Sequence, residues 1–326
     1  MPEVPVQSLD LTSRKRGLDL GYSAGSLPER KRACWGILTS QGSWADRSPL
    51  HEAASQGRLL ALNTLLVQGY QANILTIDHV TPLHEACLSD RVACVRALLR
   101  AGANVNSATI DGVTPLYNCS SSGSVGCMEL LLQNGARTHT THAHLPSALH
   151  EACKRGHSQC VELLLAYGAD PDYNASHLGS PLHVACLYNQ TACCRILLHR
   201  GARVSVGRGV ESPLHTAARQ DSAEQVSLLL EYGADCNLRD ERHQRAVDLA
   251  TPGGRTEELL LENQASPRSL LLLCRILIRR VVGPSRLKLL PSLPLPPLLT
   301  DYLQAGPPGT PAAHVLLGAA GDAACP

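Results

Sequence analysis

Phenylalanine is absent from this chain, and tryptophan occurs twice. A core of bulky aromatic side chains is therefore excluded. Leu, Val, Ile, Ala and Cys must fill the interior, which suits closely packed short helices. A charge excess is missing too. Net charge is +1, so nothing argues for binding nucleic acid through its phosphates. No stretch reaches the roughly 18 uncharged apolar residues that a membrane span needs. The Leu270 to Ile278 run is too short and contains Arg275. The N-terminus lacks the apolar core of a signal peptide. A cytoplasmic location is expected, extending to the nucleus if Arg14-Lys15-Arg16 or Arg30-Lys31-Arg32 acts as an import signal.

Cysteine is plentiful, at 13 residues, but no Cys-x-x-Cys pair suggests zinc. The placement of the cysteines also argues against a disulfide framework. Cys94, Cys127, Cys160 and Cys193 lie 33 residues apart, as do Cys153 and Cys186. Cysteines in step with a period read as small buried apolar residues used repeatedly. The sequons at Asn118, Asn174 and Asn189 then read as chance matches in a chain that stays out of the secretory pathway.

The same period runs through the whole central region. Ser48-Pro49-Leu50-His51 recurs as Thr81-Pro82-Leu83-His84, Thr114-Pro115-Leu116-Tyr117, Ser147-Ala148-Leu149-His150, Ser180-Pro181-Leu182-His183 and Ser212-Pro213-Leu214-His215. A degenerate seventh start stands at Arg245-Ala246-Val247-Asp248. Ser or Thr can cap a first helix, with Pro at its first position, where a missing N–H costs nothing. A leucine-rich second helix follows and in most repeats ends at Gly-Ala, glycine supplying the left-handed residue that stops a helix. The loop beyond turns back as a β-hairpin finger, as at Asp111-Gly112. The fifth-to-sixth step is one residue short, so the finger around Arg208-Gly209 should be trimmed. This signature resembles the ankyrin repeat. The resemblance implies an all-α repeat solenoid in which each repeat buries its apolar side only against its neighbours.

The C-terminal region holds a second pattern. Leu270, Leu273, Cys274 and Ile278 fall on one side of a helical period, with Arg275, Arg279 and Arg280 on the opposite side and in the last turn, where a helix dipole favours cations. Leu293-Pro294-Leu295-Pro296 follows. Ser269-Leu270, three residues, Cys274, three residues, Ile278 is similar to the elongin C-binding box of a SOCS box, and Leu293 to Pro296 resembles its Cullin-5 box. The opening Trp44 to Ala54 likewise resembles the shorter ankyrin repeat and SOCS box proteins. That family implies a non-catalytic substrate-recognition subunit of a ubiquitin ligase, with elongin B, elongin C, Cullin-5 and its RING protein as partners, and with no cofactor. It implies elongin C contact at Leu270, Leu273, Cys274 and Ile278, and cullin contact at Leu293, Pro294, Leu295 and Pro296. The alternative is a plain ankyrin scaffold whose last helix only caps the stack.

The expected organisation is an arm at 1–43, six repeats plus the degenerate seventh at 44–264, a small three-helix SOCS box at 265–304 and a disordered tail at 305–326. An unidentified target protein is expected on the concave face, where Asp78, His79, Asp111, His142, His144, His177, Arg208 and Asp240 to Arg242 are polar by pattern. Three catalytic or metal patterns fail on their own chemistry. Gly21-Tyr22-Ser23-Ala24-Gly25 lacks the strand and helix that a nucleophile elbow needs. His-Glu at 51, 84 and 150 lacks a second histidine four residues on, where Ser55, Leu88 and Lys154 stand. His139, His142 and His144 read as a solvated fingertip and not as a metal site. The recurring histidines read as structural, tying each finger to its first helix.

Overall fold

The computed structural model describes residues 47–139, 145–265, 270–287 and 289–305. The arm, nearly all of the tail, and the fingertip residues His142 and His144 lie outside them. The repeats form helix pairs. Inner helices α1 (Pro49–Gln56), α3 (Pro82–Leu88), α5 (Pro115–Ser122), α7 (Ala148–Arg155), α9 (Pro181–Leu187), α11 (Pro213–Arg219) and α13 (Ala246–Leu249) alternate with outer ones. The outer helices are α2 (Leu59–Val67), α4 (Val92–Arg100), α6 (Val125–Gln133), α8 (Ser158–Ala166), α10 (Thr191–His199), α12 (Ala223–Glu231) and α14 (Arg255–Ala265). Each inner helix packs on the next inner helix and on its own outer partner, so one core runs the length of the stack.

Small side chains let the helices close on one another without aromatic filler. Leu50, Leu83, Leu116, Leu149, Leu182 and Leu214 are buried at equivalent positions. Cys87, Cys119, Cys153 and Cys186 on the inner helices and Cys94, Cys127, Cys160 and Cys193 on the outer ones are buried free thiols. Burial pushes Cys160 up to about 11 and Cys193 up to about 12, so these groups stay protonated and act as compact apolar residues.

The repeated histidine is a strut. The Thr81 hydroxyl donates to His84 Nδ1 at 2.8 Å. That contact leaves Nε2 bearing the proton, and it donates to the Val113 carbonyl of the next finger at 3.1 Å. His51 reaches Val80 at 3.0 Å, His150 reaches Gly179 at 3.0 Å and His215 reaches Gln244 at 3.2 Å in the same way. Two substitutions of the pattern keep the logic. Tyr117 sends its hydroxyl to Glu151 at 3.0 Å, and in the seventh repeat Asp248 accepts the Arg245 N–H at 2.9 Å.

The fingers are shorter than hairpins. Thr76 N bonds Val80 O at 3.0 Å, Thr109 N bonds Val113 O at 2.9 Å, Ala175 N bonds Gly179 O at 3.1 Å and Asp240 N bonds Gln244 O at 2.9 Å. Isolated bridges occur at Ala175–Gly179, Arg208–Glu211 and Arg239–Arg245, and no strand forms among the described residues. Each arm supplies only one ladder residue before the next capped helix begins, so the expected hairpins contract to turns. In the short step, Arg208 N bonds Glu211 O at 2.9 Å, one residue fewer than in its siblings. His183 sits above this trimmed turn, and its Nδ1 lies 3.3 Å from Thr216 Oγ1.

Beyond the stack come α15 (Leu270–Val282), α16 (Pro284–Leu287), a 3-10 turn at Leu290–Ser292 and α17 (Pro297–Ala305). A small core of Leu287, Leu290 and Leu303, with Val282 and Leu295 against it, holds this module together.

Candidate functional site

Helix α15 is inside out. The side with Arg275 and Arg279 faces the protein, while Arg280 and the apolar side face solvent. Arg275 is 1% exposed and Arg279 is 9% exposed, whereas Leu270 is 76%, Leu277 61% and Val281 73% exposed. The periodicity of this stretch defines which residues share a face. It does not say which face is inward, and the dipole reading of the arginines misses what they do.

Arg279 joins two helix ends at once. Nη2 donates to Leu198 O at 2.6 Å and His199 O at 3.0 Å, the last carbonyls of α10. Nη1 donates to Leu303 O at 2.5 Å and Gln304 O at 3.3 Å, the last carbonyls of α17. Those carbonyls have no partner within their own helices and carry the negative end of the helix dipole. A planar guanidinium can serve both sets, because its donors fan out in fixed directions. Burial pulls Arg279 below the ordinary arginine value.

Arg275 is held by aromatic faces. Its guanidinium carbon lies 4.6 Å from the Tyr232 ring centre and 5.5 Å from that of Tyr302, while Nη1 reaches Glu231 O at 3.4 Å. Its Nε and Nη2 have no hydrogen-bond partner among the described residues, so cation–π attraction offsets much of its burial. His199 Nδ1 lies 2.9 Å from Gln304 O and adds a further tie. Gly233 completes the joint. It caps α12 with φ +87°, and a Cβ there would stand 2.3 Å from Ile276 Cδ1. The glycine that ends a repeat helix is also the landing place of α15.

With Arg275 and Arg279 turned inward and Arg280 left in solvent, α15 presents Leu270, Leu273, Cys274 and Ile278 to solvent as one stripe, and Leu277 and Val281 extend it. The last two escape a motif match that reads only Leu270, Cys274 and Ile278, although positions seven and eleven after Leu270 belong to the same helical face. Of the second group, Leu293, Pro294 and Pro296 are exposed, and Leu295 turns partly into the small core. Pro296 O accepts from Leu299 N at 2.9 Å and so starts α17.

The expected target-facing residues divide. His79, Asp111, His177 and Arg208 are exposed at the fingers, and Asp78 is half-buried with its carbonyl accepting from Ile110 N at 3.2 Å. Asp240 is a correction. It is buried, and its carboxylate accepts the Arg242 and Gln244 N–H groups at 2.8 and 2.9 Å, closing its own turn. His142 and His144 lie outside the described residues, and among the described residues no group of three or more metal-ligating side chains is assembled. The polar pattern also misses aliphatic side chains beside these positions: Ile77, Ile110 and Val210 are exposed on the fingers, and Leu187 and Tyr188 at the end of α9.

The repeats and the module after them define the class of protein, an ankyrin stack carrying a SOCS box. Residues 50–142 and 138–208 match ankyrin repeats (3 copies), residues 211–241 match the ankyrin repeat, and residues 266–304 match the SOCS box. Ankyrin repeat and SOCS box protein 5 of Homo sapiens is 55% identical over 270 residues, covering 83% of this chain and 82% of that protein. Ankyrin repeat and SOCS box protein 11 of Mus musculus is 46% identical over 260 residues, 80% of each. The crystal structure of the human ASB11 ankyrin repeat domain shares 48% identity at a TM-score of 0.65, covering 68% of this chain and all of that one. The ankyrin repeat domain of Bcl-3 shares 29% identity at a TM-score of 0.57, covering 66% of this chain and 98% of that one. The chain belongs to the ankyrin repeat and SOCS box protein family.

Proposed function

We propose that this chain is the substrate-recognition subunit of a ubiquitin ligase built on elongin B, elongin C and Cullin-5. The observation that carries the reading is the orientation of α15, with Arg275 and Arg279 buried and a leucine stripe in solvent. Leu270, Leu273, Cys274, Leu277, Ile278 and Val281 are the knobs for an elongin C groove, a helix-in-groove contact. Leu293, Pro294 and Pro296 face the cullin. The ankyrin fingers hold a target protein, and the cullin's RING partner brings a charged conjugating enzyme beside it. The chain's contribution is proximity.

A plain scaffold accounts less well for α15. A helix that only caps a solenoid presents polar side chains to solvent and buries apolar ones. This helix does the reverse, and an uncovered apolar stripe is sticky unless a partner covers it.

Affinity purification of the full chain beside a Leu270→Asp, Cys274→Asp double variant, read by mass spectrometry, tests the proposal. Elongin B, elongin C and Cullin-5 should accompany the unaltered chain and vanish from the variant, while target proteins stay with both. Absence of elongins from both baits would leave the scaffold reading in possession.

A further inference from the structure

We infer that the repeat stack of this chain is built as a poor acceptor of the ubiquitin it delivers. The inference rests on the ligase reading above. Of 29 lysines and arginines only four are lysines, namely Lys15, Lys31, Lys154 and Lys288. Lysine is ordinarily among the commonest residues of a globular chain. Between Arg47 and Ala265 the sequence holds one. Lys15, Lys31 and Lys288 lie outside the described residues.

The chemistry gives this imbalance a consequence. Ubiquitin transfer requires an amine with a free lone pair. The lysine Nζ attacks the thioester carbonyl that joins the ubiquitin C-terminus to the conjugating enzyme's cysteine. A C–N bond forms, the C–S bond breaks, and the departing thiolate takes up the proton that the amine loses. A guanidinium stays protonated at any physiological pH and delocalises its nitrogen lone pairs, so it does not attack. Arginine therefore keeps the positive charge and the ion pairs of the surface, such as Arg203 with Asp172 at 2.9 Å and Arg219 with Glu211 at 2.7 Å, without offering an acceptor.

An adaptor has particular need of this. It stays bound to the ligase through every cycle, at an effective concentration that no diffusing target matches. Self-transfer is the default reaction unless acceptors are missing or withheld. Lys154, in the last turn of α7, is withheld. Its Nζ lies 3.9 Å from the Glu151 carboxylate, and its side chain is 20% exposed. It also sits 5.8 Å over the Tyr188 ring. Glu151 is itself buried, held by the Tyr117 hydroxyl at 3.0 Å and Arg155 Nε at 2.9 Å, so the anchor does not move out with the amine.

The test is a reconstituted reaction containing the full chain, elongin B and C, Cullin-5, its RING partner, charged conjugating enzyme and free lysine as a reporter acceptor. The unaltered chain is compared with a variant carrying Arg58→Lys, Arg96→Lys, Arg100→Lys, Arg137→Lys and Arg200→Lys, all at exposed positions. The charge is unchanged. The variant should take at least fivefold more ubiquitin between residues 47 and 265, while the unaltered chain is modified only at Lys15, Lys31 or Lys288. Ready modification of Lys154 in the unaltered chain, or no gain in the variant while free lysine is consumed, would overturn the inference and leave the ligase reading standing. Failure of elongins and cullin to assemble on either chain would remove both.

Discussion

Between pH 6.5 and 4 the stack is expected to unfold. The struts at His84 and His150, and the buried His183 of the same series, are held near 4 in the folded chain, against an ordinary 6.5, chiefly because burial penalises the charged ring. The sign follows from proton counting. Above 6.5 the ring is neutral in folded and unfolded chains, and stability is flat. Between 6.5 and 4 the unfolded chain takes up protons that the folded one refuses, so stability falls as pH falls. Below 4 the folded ring is protonated too, and the loss levels off. Each ring is worth roughly 3 kcal/mol over that window. Three together approach ~10 kcal/mol, comparable with the whole stability of an ordinary domain. His51 and His199 are lowered by the same cause and add to the effect. Urea midpoints at half-unit steps from pH 7.5 to 4, followed by helical circular dichroism, measure it. A midpoint that stays level down to pH 4.5 would mean that the imidazoles titrate freely and are not struts.

Replacing Arg279 by Met should release the C-terminal module while leaving the repeats folded. The substitution removes four charge-assisted contacts to the ends of α10 and α17 and leaves those carbonyls buried under an apolar side chain. A net loss of about 2–4 kcal/mol is expected at the joint. Backbone amides of α15 and α17 should then exchange about 30-fold faster or more, with α3 to α8 unchanged. Arg279→Lys should recover only part of this, because an ammonium is a single point and cannot serve both helix ends. Equal exchange rates in all three chains would show that the carbonyl contacts contribute nothing. The consequence for function is angular. α15 carries the outward stripe and the joint sets its direction, so a loosened joint widens the range of positions in which a target meets the ligase.

How much of this was legible in the sequence depends on the range of the interaction. The repeat was visible because each unit is built from contacts within itself and with its neighbours 33 residues away. The cap at Ser48 and the strut at His51 recur along the stack, and the missing residue near Arg208 stands out against the 33-residue steps around it. The buried cysteines were legible for the same reason. The joint was not. Arg279 meets Leu198 across 81 residues and Leu303 across 24, and no local pattern announces either. A helical period groups Leu270 with Leu273, and Arg275 with Arg279, but orientation is decided by which side finds partners. Here the helix-end carbonyls of α10 and α17 and the Tyr232 and Tyr302 rings prevail over the hydrophobic rule. Asp240 was misread because a turn-closing carboxylate and a target-facing one look alike in sequence.

The most direct measurement of the central claim is Leu277→Asp, a position only the structure singles out, assayed for both melting and elongin affinity. On this account Leu277 is in solvent in the free chain and buried only in the complex, where covering it is worth roughly 1.5–3 kcal/mol. The full chain should melt where the unaltered one does, within a degree or two, and bind purified elongin B/C more than tenfold more weakly by calorimetry. A lowered melting temperature with no change in elongin affinity would show that the leucine stripe faces the stack and that α15 is a cap.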